Sequence, residues 1–274
     1  ANKRISKANK MKKYLVIGNP INHSLSPELH NHWIKQNSID AIYEKKKLDI
    51  NDLKNLILDI KKGNLNGANV TVPFKNVIIP YLDDLSSEAK KTHSVNTIHL
   101  KNKKVIGHNT DINGFETAIQ NINFNFKKKK IFILGAGGVV PSIIYASMKM
   151  GSSEIMISNR TERKAEEIKN IFNNIKLVNW GELPDFDVVI NATSLGLDQD
   201  DKINLDFNKV GKNKLFYDVI YNPSETNFLR LGKKLGNKCE NGKLMFIYQA
   251  FSAFKLWHGI EPSINKETIK ILDR

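Results

Sequence analysis

The chain reads as an α/β protein of two domains: an N-terminal, mostly parallel α/β unit, then a Rossmann-type unit, with C-terminal helices that return to the first. Three observations predict this. Strand-like and helix-like periodicities alternate along both halves of the 274 residues, which is the βαβ rhythm of a parallel sheet. A glycine-rich turn, "ILGAGG" at 133–138, opens the second half after an apolar run, as where a strand passes into a nucleotide-facing helix. The length of 274 residues suits two cores of ordinary size.

The elements follow in order. Strand-like "KYLVIG" (13–18) leads through Gly18-Asn19-Pro20 to helix-like "SPELHNHWIKQ" (26–36), with Ser26 as cap and Pro27 as first helical residue. "AIYEKKKL" (41–48) reads as strand, "INDLKNLILDIKK" (50–62) as helix and "GANVTVP" (67–73) as strand. In that strand Val70 and Val72 share one face and Asn69 and Thr71 the other, until Pro73 ends the ladder. A polar helix, "LSSEAKKTHS", precedes "VNTIHLKN" and "KVIGHNTD", two extended pieces paired through the turn at Lys101-Asn102-Lys103. The helix "INGFETAIQNI" carries the chain away. The second unit runs through "IFILGAGGVVPSIIYASMKMG", "EIMISNR", "TERKAEEIKNIFNN", "DVVINATS" and "LFYDVIYN". After Gly242 come a long apolar helix, "KLMFIYQAFSAFKLWHG", and the short "KETIKILDR". The boundaries predicted are 1–112 with 246–274 for one domain and 113–245 for the other.

Composition narrows the function classes. No apolar run approaches the roughly 18 residues that span a bilayer, and the basic residues 1–13 lack the apolar segment of a secretory signal. The residues before Met11 read as a leader. A single cysteine, Cys239, leaves no internal disulfide and no cysteine-built metal cluster, which fits a reducing cytoplasm. His23, His30, His32, His93, His99, His108 and His258 are not spaced with carboxylates as a zinc site requires, so no metal is assigned. The formal charge of +14 raises a nucleic-acid reading, but the lysines are scattered, and the run Lys127–Lys130 precedes a strand, opposite the ligand end of an α/β sheet. The expected partner is a small molecule, with neither nucleic acid nor membrane; a homodimer is allowed.

Gly135, Gly137 and Gly138 let the backbone turn tightly and approach a pyrophosphate at a helix N-terminus. Val140 stands where the third fingerprint glycine is usual. At the end of the next strand, about 20 residues on, an acidic residue reads the ribose of NAD. Ser158-Asn159-Arg160-Thr161, followed by Arg163 and Lys164, stands there instead, so cations face a 2′-phosphate and NADP is predicted. Thr161 also reads as cap of the following helix.

In "NPINHSLSPELH", capping explains Ser26 but not Ser24. Two hydroxyls beside a helix N-terminus suit a small carboxylate. Here several segments meet one pattern: "HSLSP", "NVTVPFK", "SVNTI", "NTDINGF", "GAGG", "SNRT", "NATSLG", "YDVIYNP" and the glutamine of "IYQAF" resemble, in order, the motifs of the shikimate dehydrogenases, from about Tyr14 to about Gly259.

That resemblance implies NADPH-dependent, reversible reduction of 3-dehydroshikimate to shikimate, a step of aromatic amino-acid biosynthesis. It implies Lys75 as acid/base with Asp111 as partner; Ser24 and Ser26, helped by Tyr221, on the substrate carboxylate; and Thr71, Asn96, Asp111 and Gln249 on the ring hydroxyls. On the cofactor side it implies Gly135, Ala136, Gly137, Gly138, Asn159, Arg160, Thr161, Lys164, Val219 and Gly242. A lysine ammonium suits the acid role, since ketone reduction needs a proton on oxygen as well as a hydride on carbon. The chain departs from the pattern at Val140-Pro141-Ser142 and in "SSEAKK", neither of which touches this chemistry. Two rival readings remain: a quinate/shikimate dehydrogenase, disfavoured as an NAD enzyme by the basic strand end, and a catalytically silent NADP sensor, disfavoured by intact Lys75 and Asp111.

Overall fold

The computed structural model describes residues 10–273; most of the basic N-terminal stretch read as a leader, residues 1–9, lies outside them. The first sheet is built from β1 (Lys12–Gly18), α1 (Ser26–Gln36), β2 (Ala41–Lys47), α2 (Leu53–Lys61), β3 (Gly67–Val70), β4 (Asp84–Leu85), α3 (Ser87–Thr92), β5 (Thr97–Lys101) and β6 (Lys104–His108). Its strand order is β2-β1-β3-β5-β6-β4. β1 runs parallel to both β2 and β3, while β5 is antiparallel to β3 and β6. The chain leaves β1 for one side and returns on the other, so a crevice opens beyond the carboxyl ends of β1 and β3. On α2, Leu53, Leu56, Ile57 and Ile60 are buried at the spacing of one helical face, and they join Ile17 and Val70 in one core layer. Tyr14 and Val16 point the other way, to a layer with Leu29, Trp33 and Tyr43.

Two sequence expectations need correction. β3 stops at Val70, and Val72 is exposed instead of sharing Val70's buried face, because the chain has already turned: the Thr71 N–H donates to Ile17 O, and the Phe74 N–H back to Thr71 O. α1 takes Leu25 at its cap and Ser26 as first helical residue, with no side-chain cap from Ser26; the Ser26 N–H instead donates to Ser24 Oγ at 3.3 Å.

The second sheet contains β7 (Lys130–Leu134), β8 (Glu154–Ser158), β9 (Lys176–Leu177), β10 (Val188–Asn191), β11 (Leu215–Asp218) and β12 (Lys238–Glu240), ordered β12-β11-β10-β7-β8-β9 and parallel throughout. Counted from β7, this is the doubly wound order 3-2-1-4-5-6. The central strands are buried on both faces, as parallel strands covered by helices must be. Between the strands lie α5 (Val140–Lys149), α6 (Glu162–Ile171) and α7 (Asn227–Lys234). Val140 is wholly buried and belongs to the core under α5.

Two helices join the lobes. α4 (Asp111–Asn121) starts at the end of the first sheet, yet its Ile112, Phe115, Ala118 and Ile119 enter the core of the second. α8 (Lys243–His258) places Met245 in that core and Ile247, Ala250 and Phe254 in the first lobe, where Leu272, just past α9 (Lys266–Lys270), joins them. Where the two helices cross, a Cβ on Gly114 would come within 2.8 Å of Met245 O. The C-terminal helices therefore return to the first lobe.

Candidate active site

Lys75 is set by the turn after β3. Phe74 is buried and anchors that turn, and the Val95 N–H donates to Lys75 O at 2.8 Å. The lysine Nζ then lies 2.7 Å from Asp111 Oδ2, and the two side chains are only 12% and 8% exposed. So little water screens the pair weakly. Asp111 opens α4, where free helix amides favour negative charge. Its Oδ1 lies 3.2 Å from Asn96 Nδ2, and that amide also donates to Thr110 Oγ1 at 2.8 Å. Asn96 Oδ1 accepts from the Thr110 N–H and the Thr97 hydroxyl. The lysine stem crosses the cleft: a Cβ on Gly138 of the glycine-rich turn would sit 3.2 Å from Lys75 Cδ.

A cavity of about 490 Å³ receives this pair. All eight predicted catalytic and substrate-binding residues line it: Ser24, Ser26, Thr71, Lys75, Asn96, Asp111, Tyr221 and Gln249. Ser24 and Ser26 come from the start of α1, Tyr221 from the loop after β11 and Gln249 from α8. Burial, with a contribution from the Glu28 carboxylate, pushes the Tyr221 phenol up to about 12, so it stays a hydrogen-bond donor at neutral pH. Gln249 Nε2 donates to Phe246 O within its own helix at 2.8 Å.

Sequence reasoning missed a polar chain behind this wall. The Tyr43 hydroxyl, on β2, donates to Asn69 Oδ1 at 2.7 Å. Asn69 Nδ2 donates in turn to Asn96 O and Thr97 Oγ1. A buried chain of hydrogen bonds therefore runs from Tyr43 to Asp111. Its signal in the sequence was slight: Tyr43 is a lone aromatic ahead of a charged run, and it is 1% exposed.

On the second lobe, Gly135 has φ +121°, a conformation open to glycine; a Cβ there would meet Ala192 O at 2.7 Å. Gly137 is exposed, and a Cβ on it would meet nothing within 4 Å, leaving its backbone open to a ligand. Gly137, Gly138, Val219 and Gly242 line the same cavity as Lys75; a Cβ on Gly242 would collide with Val219 O. Gly135, Ala136, Asn159, Arg160, Thr161 and Lys164 do not line it. Gly135 and Ala136 follow β7, and Asn159, Arg160 and Thr161 follow β8, where the Gly135 N–H donates to Ser158 O, while Lys164 lies in the first turn of α6. Arg160, Thr161 and Lys164 are exposed. Thr161 stands at the cap position of α6 without a side-chain capping bond, contrary to expectation; its carbonyl instead accepts from Asn159 Nδ2 at 2.9 Å, which shapes the turn. Open glycine backbone beside exposed cations fits a phosphorylated dinucleotide.

These features define a two-lobed, nicotinamide-dependent oxidoreductase. Residues 16–98 match the shikimate dehydrogenase substrate binding domain, and residues 116–209 match the shikimate / quinate 5-dehydrogenase family. The chain is 55% identical to the shikimate dehydrogenase (NADP(+)) of Pelagibacter ubique, over 96% of its length and 99% of that protein's. It superposes with a TM-score of 0.86 on the crystal structure of shikimate dehydrogenase from Aquifex aeolicus, at 34% identity and covering 96% and 97% of the two chains. The shikimate 5-dehydrogenase of Thermus thermophilus, crystallised with NADP(H) and shikimate, also matches at a TM-score of 0.86, with 28% identity over 96% and 99%. The chain belongs to the shikimate dehydrogenase family.

Proposed function

We infer that the chain catalyses the reversible, NADPH-dependent reduction of 3-dehydroshikimate to shikimate, within aromatic amino-acid biosynthesis. The observation that carries this reading is the Lys75–Asp111 pair, 2.7 Å apart and nearly buried, with the lysine stem against Gly138 of the nucleotide loop. NADPH, when bound, supplies the hydride that adds to the carbonyl carbon. Gly135, Ala136, Gly137 and Gly138 hold its pyrophosphate, Asn159, Arg160, Thr161 and Lys164 its 2′-phosphate, and Val219 and Gly242 its nicotinamide side.

Lys75 Nζ donates a proton to the carbonyl oxygen as it becomes an alcohol; in the oxidative direction the amine takes that proton back. Asp111 aims the ammonium and, with Asn96, holds it at the ring oxygen. Ser24, Ser26 and Tyr221 donate to the substrate carboxylate, helped by the partial positive charge at the start of α1. Thr71 and Gln249 bond the remaining ring hydroxyls.

The test is an absorbance assay of the reduced nicotinamide with shikimate or quinate and with NADP or NAD. Turnover of shikimate with NADP is expected to exceed the other three combinations. Preference for quinate would favour the quinate/shikimate reading, and NADP binding without turnover of either acid would favour a sensor. Among the described residues no helix is long and apolar enough to cross a membrane. The cytoplasm is the proposed compartment and a homodimer the proposed assembly, which light scattering on the purified chain checks.

A further inference from the structure

A buried carboxylate lies behind the cavity wall of the second lobe, and the chemistry above leaves it unused. Asp218 ends β11 with no exposed surface, beside Asn191 at the end of β10. Its Oδ2 accepts from Thr226 Oγ1 at 2.7 Å and its Oδ1 from the Ile220 N–H at 3.0 Å; Asn191 Nδ2 lies 3.2 Å from both oxygens. A buried carboxylate is tolerated only with such donors. Burial pushes its carboxyl up to about 6, while the bonds from Thr226, Ile220 and Asn191 hold it down, so it is mostly ionised at neutral pH.

An ionised carboxylate only accepts hydrogen bonds, so it dictates which way the Asn191 amide faces. The NH2 group must point to Asp218, leaving Asn191 Oδ1 for the loop that follows. That oxygen accepts from the Thr193 N–H at 3.1 Å and from Thr193 Oγ1 at 2.6 Å. Asn191 Nδ2 also donates to Leu195 O at 2.8 Å, and the Leu195 N–H donates to Thr193 Oγ1 at 3.1 Å. Residues 192–195 are thus wound about one amide.

Ala192 and Leu197 of this loop, with Val219 next to Asp218, line the cavity that holds Lys75. The Ala192 carbonyl lies against Gly135, at the junction of β7 and β10 where strand order reverses and doubly wound sheets take their ligands. Resting on the function inferred above, we propose that Asp218 is a positioning residue that, through Asn191, holds residues 192–197 and Val219 as the wall seating the nicotinamide of NADP.

The test compares the full-length parent, Asp218→Asn and Thr226→Val. Calorimetry gives NADP+ and shikimate affinities separately, and deuterated NADPH gives the hydride isotope effect. Asp218→Asn removes the group that orients Asn191 while nearly keeping its shape. NADP+ affinity should fall about tenfold, as misplacement of a supporting group commonly costs that or more, with shikimate affinity unchanged and a larger isotope effect. Thr226→Val removes one donor to Asp218 and, with it, the Oγ1 that accepts from the Leu229 N–H at the start of α7, but leaves the charge, so it should act on NADP+ affinity in the same direction but less. A merely structural role would lower the folded fraction without changing the isotope effect. Parent-like NADP+ affinity and isotope effect in a folded Asp218→Asn would overturn the proposal, as would a parallel loss of shikimate affinity. Should Asp218→Asn not fold, parent-like NADP+ binding by Thr226→Val would overturn it instead. A parent that binds no NADP+ defeats the functional reading, whereas parent-like variants defeat only the role of Asp218.

Discussion

The two lobes meet their ligands differently. In the first, Lys75, Asp111, Asn96, Asn69 and Tyr43 form one hydrogen-bonded assembly with little exposure, so the substrate side is ordered by its own contacts. In the second, the glycine turn is open and Arg160 and Lys164 stand in solvent. Arg163, one of the cations noted in the sequence, reaches instead along α6 to Glu167 at 3.4 Å. A buried network fixes geometry in advance, whereas exposed cations supply charge that orders only when a phosphate arrives. Substitutions in the first lobe should therefore disturb chemistry and folding together, and those at the end of β8 should change cofactor choice alone.

The largest effect is expected at Lys75. Replacement by Met or Ala should lower turnover by about two orders of magnitude or more, as loss of a positioned acid/base commonly does, with shikimate affinity much less affected. Near-parental turnover would remove the lysine from the chemistry and dissolve the contrast between the lobes. Next is Arg160→Glu. A hydrogen bond to a charged group is worth about 1.5–3 kcal/mol, so the preference for NADP over NAD should shrink by about ten- to a hundredfold. Thermal stability should not change, because Arg160 is exposed. A large fall in melting temperature would show that the site is less separable from the fold than its exposure implies.

Much of this contrast was legible in the sequence, because it rests on local patterns. The glycines at 135, 137 and 138 follow an apolar strand, and the cations at 160 and 164 follow the next, at a spacing set by one βαβ unit. Where the sequence misled, tertiary contacts decided. Alternation carried the strand through Val72, but hydrogen bonds from Thr71 to Ile17 and from Phe74 to Thr71 turn the chain first. Ser26 looked like a cap until Ser24 took its N–H. Tyr43 carried only a slight signal, and the motifs that contain Asn191 and Asp218 gave neither residue a role, since their meaning lies in partners 26, 27 and 27 residues away. No periodicity encodes such pairings.

Tyr43→Phe sharpens the comparison at smaller scale. It removes the donor to Asn69 Oδ1, a buried acceptor, at a cost of about 1–3 kcal/mol. Urea unfolding should report that loss, and the KM for 3-dehydroshikimate should rise more than the KM for NADPH. Equal changes in both would mean that the phenol supports the whole molecule and not the substrate side.

The smallest effect concerns acid, and here the lobes should differ in sign. His30, 1% exposed and stacked on Tyr43 with ring centroids 4.3 Å apart, is driven down to about 3 by burial and, secondarily, by His258. Neither ring nitrogen has a hydrogen-bond partner among the described residues. Between the ordinary histidine value of about 6.5 and that lowered value, the unfolded chain binds the extra proton. His30 therefore contributes stability that is present above pH 6.5 and is lost at about 1.4 kcal/mol per unit as the pH falls. Asp218 works oppositely. Its carboxyl is raised to about 6, so between there and the unfolded value of 3.8 the folded state holds the extra proton, and acid lowers the penalty for burying it. His108 and His258, each driven down to about 4 by burial, add to the His30 slope, so unfolding free energies measured between pH 7 and pH 5 should fall towards acid in the parent. His30→Phe should flatten that slope, whatever offset its packing introduces, and Asp218→Asn should steepen it below pH 6. Parallel curves for all three would mean that neither buried group governs the pH response and that the opposition between the lobes is absent.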